Sequence, residues 1–299
     1  MKPRKQSYES SRDVQRWLKH QRALHPAADT MFEPTFLAGR RDSDWVLSAL
    51  SVFHAQGLIA DVVGQASSGK EATVYCCTGG PAADVAMLAA KVYRPRMFRS
   101  LKNDAIYRNT RLSLDEHGHP VNRVRGRLTA SASERGREVR VASWIKLEYE
   151  VQERLFAAGA DVPQPYAHTG NTIVMGFIGE DGIPAPRLCD VTLNRAVGAR
   201  LFDRLIANVT LFLAHHVVHG DLSPYNVLFD GERVTVIDMA QAVDPRYGDA
   251  AYTLLERDIA RLCTFFARYG MRADGVAITA DLWSRYLTGD LPATLQEVV

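Results

Sequence analysis

Apolar residues recur with helical spacing at Val46, Ala49, Leu50 and Phe53. A helix is therefore expected to open at Asp42 or Ser43, either of which can cap it, and to stop at Gly57. The pattern then changes. Leu58–Val63, Ala72–Cys77 and Val85–Tyr93 are short apolar runs, separated by a glycine and serine segment and by the turn Thr78-Gly79-Gly80-Pro81. They read as three strands. A long helix is expected from about Ser133 or Arg137 to Ala158, with Gly159 just beyond its end. Val162-Pro163-Gln164-Pro165 reads as an extended turn and Asn171–Ile178 as another strand. Helical spacing returns at Leu201, Leu205, Val209, Phe212 and His216, then at Leu254, Asp258, Leu262 and Phe266, and again over Ala280–Leu287. Residues 1–41 are polar and irregular, with one helix candidate near Val14–Leu24, and read as an N-terminal extension.

Between the last helical patterns lies a hairpin. Val227-Leu228-Phe229 is a short strand, Asp230-Gly231 a tight-turn signal, and Arg233–Ile237 the return strand. This folds Asp238 back beside Asn226, although 12 positions separate them. The placement matters because residues 219–226 read HGDLSPYN. Asp221 can orient an attacking hydroxyl or take its proton. Asn226 and Asp238 can hold one metal ion or two, as phosphoryl transfer requires. Taken alone, the loop does not separate a protein kinase from a small-molecule phosphotransferase.

Residues 64–70 read GQASSGK, which fits a Walker A loop as far as Lys70. Glu71 then stands where that motif needs Ser or Thr, and a strand follows where it needs a helix. A strand–glycine loop–strand cover over ATP phosphates fits better. Gly64 and Gly69 would let the backbone approach, and Ser67 and Ser68 would add donors. An ordinary Gly-Ser hairpin remains the plain alternative. Lys91 sits within the apolar run Met87–Tyr93, where an ammonium is costly unless paired. A phosphate and a carboxylate would compensate it. Glu148 on the long helix is the candidate carboxylate, with Glu150 and Glu153 as rivals on other faces.

Composition narrows little. The chain has 299 residues, 46% hydrophobic and 23% charged, with a net charge of +2, so bulk charge does not argue for nucleic acid. Its four cysteines lack CxxC spacing and read as free thiols in a reducing compartment. No run approaches the ~20 apolar residues that span a bilayer, so a cytoplasmic protein without membrane contact is expected. One stretch stands out: residues 94–140 carry twelve Lys or Arg against five Asp or Glu. It reads as a basic flexible insertion, either solvated or binding RNA or a phosphorylated protein. His215, His216 and His219 read as a helix end and a loop organiser rather than as metal ligands.

Together these segments resemble the RIO family of atypical serine/threonine protein kinases, in its bacterial type. The residues that carry the resemblance are SSGKEATVY at 67–75, AAKVYR at 89–94, LEYEVQERL at 147–155, VPQPYA at 162–167, IVMGFIGEDGIPAPRL at 173–188, HGDLSPYNVLF at 219–229, VIDMAQAV at 236–243 and LLERDIARLCTFF at 254–266. The resemblance implies an α+β, two-lobed kinase-like fold. Residues 42–178 would form a small antiparallel N-lobe carrying the 94–140 insertion, and 179–299 a mainly helical C-lobe. It implies ATP and Mg2+, with Mn2+ as an alternative ion. Asp221 would be the catalytic aspartate, Lys91 would pair with Glu148, and Asn226 and Asp238 would be metal ligands. Gly64, Ser67, Ser68, Gly69 and Lys70 would lie near phosphates. Met175 would border the adenine pocket, with Phe177 and Ile178 in the hinge. Some relatives resemble ATPases that form a phosphoaspartate, which makes Asp238 a candidate acceptor. The resemblance also implies action on a ribosomal or RNA-containing particle, with 94–140 as the contact. Two alternatives stay open: a small-molecule phosphotransferase of the aminoglycoside or choline kinase type, and an ATP-gated scaffold on a ribonucleoprotein.

Overall fold

The structure, a computed structural model, describes residues 19, 32–37, 43–94, 134–247 and 250–295. Apart from Lys19, the helix expected near Val14–Leu24 lies outside the described residues, as does most of the basic stretch 94–140.

Helix α1, Ser43–Ala55, forms where the apolar spacing placed it. Its buried face is Trp45, Val46, Ala49, Leu50 and Phe53, packed on Ile59, Val62, Leu88 and Val92 of the sheet beside it. Gly57 follows at φ +73°, a left-handed conformation that ends the helix. The sheet has five antiparallel strands: β1 Ile59–Ser68, β2 Ala72–Gly79, β3 Met87–Tyr93, β4 Pro165–His168 and β5 Thr172–Gly176. Their order is β1-β2-β3-β5-β4.

Two readings of the sequence change here. Gly64 to Ser68 are not a loop: β1 runs through them, and only Gly69 to Glu71 turn the chain into β2. Register shifts at Ile59/Asp61, Val62/Gly64 and Gln65/Ser67 explain this, because each bulge absorbs a residue and keeps a polar, glycine-containing segment paired. The supposed turn at 162–165 leads directly into β4. Pro165 begins that edge strand, a position where a missing N–H costs nothing.

Helix α2, Glu134–Ala157, packs its later turns beside β4 and β5. Two short strands follow the sheet: β6 Gly179–Glu180 and β7 Ile183–Pro184. The remainder is mainly helical. Helix α3, Arg195–Ala214, starts at Asn194, whose side chain accepts from Val197 N at 2.9 Å. Then come β8 Val227–Phe229, β9 Val234–Val236, α4 Ala251–Phe266 and α5 Gly275–Thr288. Leu205, Leu211, Leu213, Val227, Val236, Ile259, Leu262 and Phe266 are fully buried in one core. A smaller cluster of Tyr93, Trp144, Ile145, Ile173 and Ala240 joins sheet, α2 and the segment after β9. It sits directly behind the candidate site. No helix among the described residues is long and apolar enough to cross a membrane.

Candidate active site

The hairpin forms with the expected strands. Val227 pairs with Val236, and Phe229 with Val234. Its turn takes four residues rather than two: Asp230 N donates to Arg233 O, and Asp230 Oδ1 accepts from Glu232 N and Arg233 N. Just past the pairing, Ile237 N donates to Asn226 O at 2.9 Å, so Asn226 and Asp238 lie side by side. Asn226 Nδ2 donates to Asp221 O at 2.9 Å, which ties the third candidate into the same corner.

The loop is held from behind. Buried His219 donates from Nε2 to Ile237 O at 3.1 Å, and its Nδ1 accepts from Asp221 N at 3.3 Å. Burial lowers the pKa of this imidazole, so the neutral ring organises the loop backbone. Gly220 has φ +75°, and a Cβ there would collide with the Gln241 carbonyl. Only glycine allows this close approach. From α4, buried Asp258 accepts from Gly220 N at 2.8 Å and Leu222 N at 3.0 Å. Burial pushes its carboxyl up to about 7, against the pull of those two donors and of Arg257 and Arg261. Arg257 Nη2 donates to Gly220 O. Arg261 Nη1 reaches Asp221 Oδ1 at 2.8 Å. The helical spacing that includes Asp258 names neither Arg257 nor Arg261 as a partner of the loop. Their spacing along the helix is visible in the sequence, but the loop they meet lies 36 to 40 residues earlier in the chain.

The opposite wall comes from the sheet. Lys91 on β3 is buried, and its Nζ donates to Glu148 Oε1 and to Asp238 Oδ1, both at 2.7 Å. Of the three rival glutamates, Glu148 is the one that meets it. Burial opposes the Lys91 ammonium, but Asp238 and Glu148 outweigh that and hold its pKa well above the ordinary value. Burial likewise works against the Asp238 carboxylate, and Lys91 overcomes it, leaving its pKa lowered. Both groups are therefore charged near neutrality. Asp238 itself has φ +69°, a left-handed conformation that aspartate tolerates at a cost.

Two aromatic residues that sequence reasoning passed over complete this wall. Tyr93, two residues along β3 from Lys91 and so on the same face, donates its hydroxyl to Glu148 Oε2. Trp144, one helical turn before Glu148, donates Nε1 to Ala240 O at 2.8 Å. Helix α2 thus holds Lys91 with one side chain and the segment after Asp238 with another. Apolar patterning gave no sign of this, because both rings also serve as core.

The remaining candidates line the cover and the strand that leads out of the sheet. Ser67 and Ser68 pair with Val74 and Thr73, and Gly64 lies opposite Cys76. Ser68 Oγ accepts from Arg94 Nη2 at 2.6 Å. Gly69 N donates to Ala72 O at 2.9 Å, closing the turn that exposes Lys70. Met175 ends near Gln152, whose Nε2 lies 3.7 Å from its sulfur. Phe177 and Ile178 follow β5, with Ile178 O accepting from Ala185 N. The oxygen donors Asp238 and Asn226 suit a hard divalent cation that keeps water and phosphate ligands. Among the described residues, no three His, Cys, Asp or Glu gather as a metal cluster.

The chain is similar to proteins of one family. The family model described as the RIO domain matches residues 88–278. The chain is 32% identical to the RIO-type serine/threonine-protein kinase Rio1 of Haloferax volcanii over 251 residues, 83% of this chain and 76% of that one. It is 37% identical to Rio1 of Thermoplasma acidophilum over 134 residues, 45% of this chain and 69% of that one. The Rio2 kinase-ADP/Mg2+-phosphoaspartate complex from Chaetomium thermophilum superposes with a TM-score of 0.59 at 20% identity, covering 86% of this chain and 70% of that one. That likeness establishes the two-lobed kinase-like fold. With the domain matched across most of its length and an archaeal relative aligned over most of both chains, the chain belongs to the RIO family.

Proposed function

We propose that the chain is a Mg-ATP-dependent RIO-type serine/threonine protein kinase, with ATP hydrolysis and self-phosphorylation as its outputs in the absence of a protein acceptor. One observation carries the reading: Lys91 bridges Glu148 and Asp238 at 2.7 Å each, beside a loop that presents Asp221 and Asn226. An ammonium has three N–H donors. Two are used here, and one is left for a phosphate oxygen. Asp221 orients the attacking hydroxyl and takes its proton. Asn226 and Asp238 would hold magnesium, which when bound neutralises charge on the transferring phosphoryl group. Ser67, Ser68, Gly69 and Lys70 would cover the phosphates, and Met175, Phe177 and Ile178 would border adenine. Catalysis by such a site is mainly positioning and fixed electrostatics.

The relatives found are RIO-type kinases, which does not favour the small-molecule phosphotransferase or the scaffold. The Rio2 relative contains a phosphoaspartate. We extend that chemistry to Asp238, whose Oδ2 would accept the phosphoryl group. The test is a phosphoenzyme formed from labelled ATP and magnesium. A label released by neutral hydroxylamine identifies an acyl phosphate, the linkage expected at Asp238. A label that resists hydroxylamine identifies a Ser or Thr acceptor. No label and no released phosphate would overturn the proposal.

A further inference from the structure

Helix α4 turns three charged side chains toward the HGD loop, at positions 257, 258 and 261. Two of them hold backbone. Arg257 donates to Gly220 O, and Asp258 accepts from Gly220 N and Leu222 N. The third does something different. Arg261 Nη1 meets a side-chain oxygen, Asp221 Oδ1, at 2.8 Å. Among the described residues, Asp221 Oδ2 has no hydrogen-bond partner.

We infer that Arg261 is a positioning residue for phosphoryl transfer: its guanidinium pins Oδ1 of Asp221 and leaves Oδ2 as the oxygen that meets the acceptor hydroxyl. This rests on the phosphoryl-transfer reading of the site. The two side chains are 38% and 49% exposed, so the pair stands at the mouth of the site and not in its core. An exposed pair of this kind contributes about 0–1 kcal/mol to stability. Its consequence lies elsewhere. An aspartate on a loop, half in solvent, rotates about two side-chain bonds, and a displacement of about 1 Å at a reacting group can cost about 10²-fold in rate. A planar guanidinium anchored on α4 removes that freedom from one side. With a hydroxyl or water as acceptor, its oxygen bonds to the γ-phosphorus as the bond to the β–γ bridging oxygen breaks. The hydroxyl proton passes to Asp221 Oδ2, and ADP leaves.

The test uses the full chain with Arg261→Met and Arg261→Lys, measuring kcat and KM for Mg-ATP turnover alongside the melting temperature. Arg261→Met is expected to lower kcat about tenfold or more. Its KM for ATP and its melting temperature should stay close to those of the wild type. Arg261→Lys should recover part of the loss, because an ammonium can still donate to Oδ1. A methionine variant with kcat within about twofold of wild type overturns the inference. So does a loss of kcat matched by parallel falls in ATP affinity and melting temperature, or a lysine variant no better than methionine. The parent reading fails separately: wild-type protein without Mg-ATP turnover, or full turnover in Asp221→Ala, removes the reaction itself and this role with it.

Discussion

The two walls of the site are built on opposite physical terms. On the sheet side, Lys91, Glu148 and Tyr93 are buried, and each polar head is met by another. On the loop side, the Asp221 and Arg261 side chains are 49% and 38% exposed and meet in an ion pair at the surface. A buried cluster needs every member, because losing one leaves a desolvated charge. An exposed pair can lose a member with little effect on folding. The sheet wall therefore joins chemistry to stability, and the loop wall separates them.

The largest effect tests that coupling. Lys91→Met leaves the Glu148 carboxylate buried without its ammonium and frees Asp238. Turnover should fall about 10³-fold, and stability should fall by about 3 kcal/mol, read from denaturant unfolding. Asp221→Ala should lower turnover about 10²-fold with a melting temperature near wild type. If the two variants melt alike, the contrast between the walls is lost. Tyr93→Phe comes next. It removes one hydrogen bond to Glu148, at a cost of about 1–2 kcal/mol, with a smaller loss of turnover than either charge variant.

Asp258 sharpens the comparison from below. Its folded carboxyl is raised to about 7 from an ordinary 3.8. Between those values the folded protein binds a proton that the unfolded chain has released. This group's contribution to stability therefore falls as pH rises through that window and levels off above about 7. Unfolding of the wild type and of Asp258→Asn at pH 5 and pH 8 measures it, and the variant should lose that part of the slope. The smallest effect is expected at exposed Lys70. Lys70→Ala should raise KM for ATP a few-fold and leave melting unchanged.

What could be read from sequence follows the same division. Lys91 was legible because an ammonium within an apolar strand demands partners, and Asn226 and Asp238 because a hairpin has a fixed register. Glu148 was legible only as one of three glutamates, since a helix face does not name what it will meet. The bulges that carry β1 through Gly64 and Ser68 have no local signature. Tyr93 and Trp144 looked like core because they are core, and their hydroxyl and indole contacts arise only when sheet, α2 and the segment after β9 come together. Arg261 was hidden for the same reason: its partner is 40 positions away.

In the proposed reaction Asp221 serves phosphoryl transfer and not the fold. The direct measurement is the rate of phosphate release from labelled Mg-ATP by folded Asp221→Ala, compared with wild type at equal concentration. A rate lower by about 10²-fold is expected, in a protein that melts as the wild type does. An undiminished rate in that variant would contradict it.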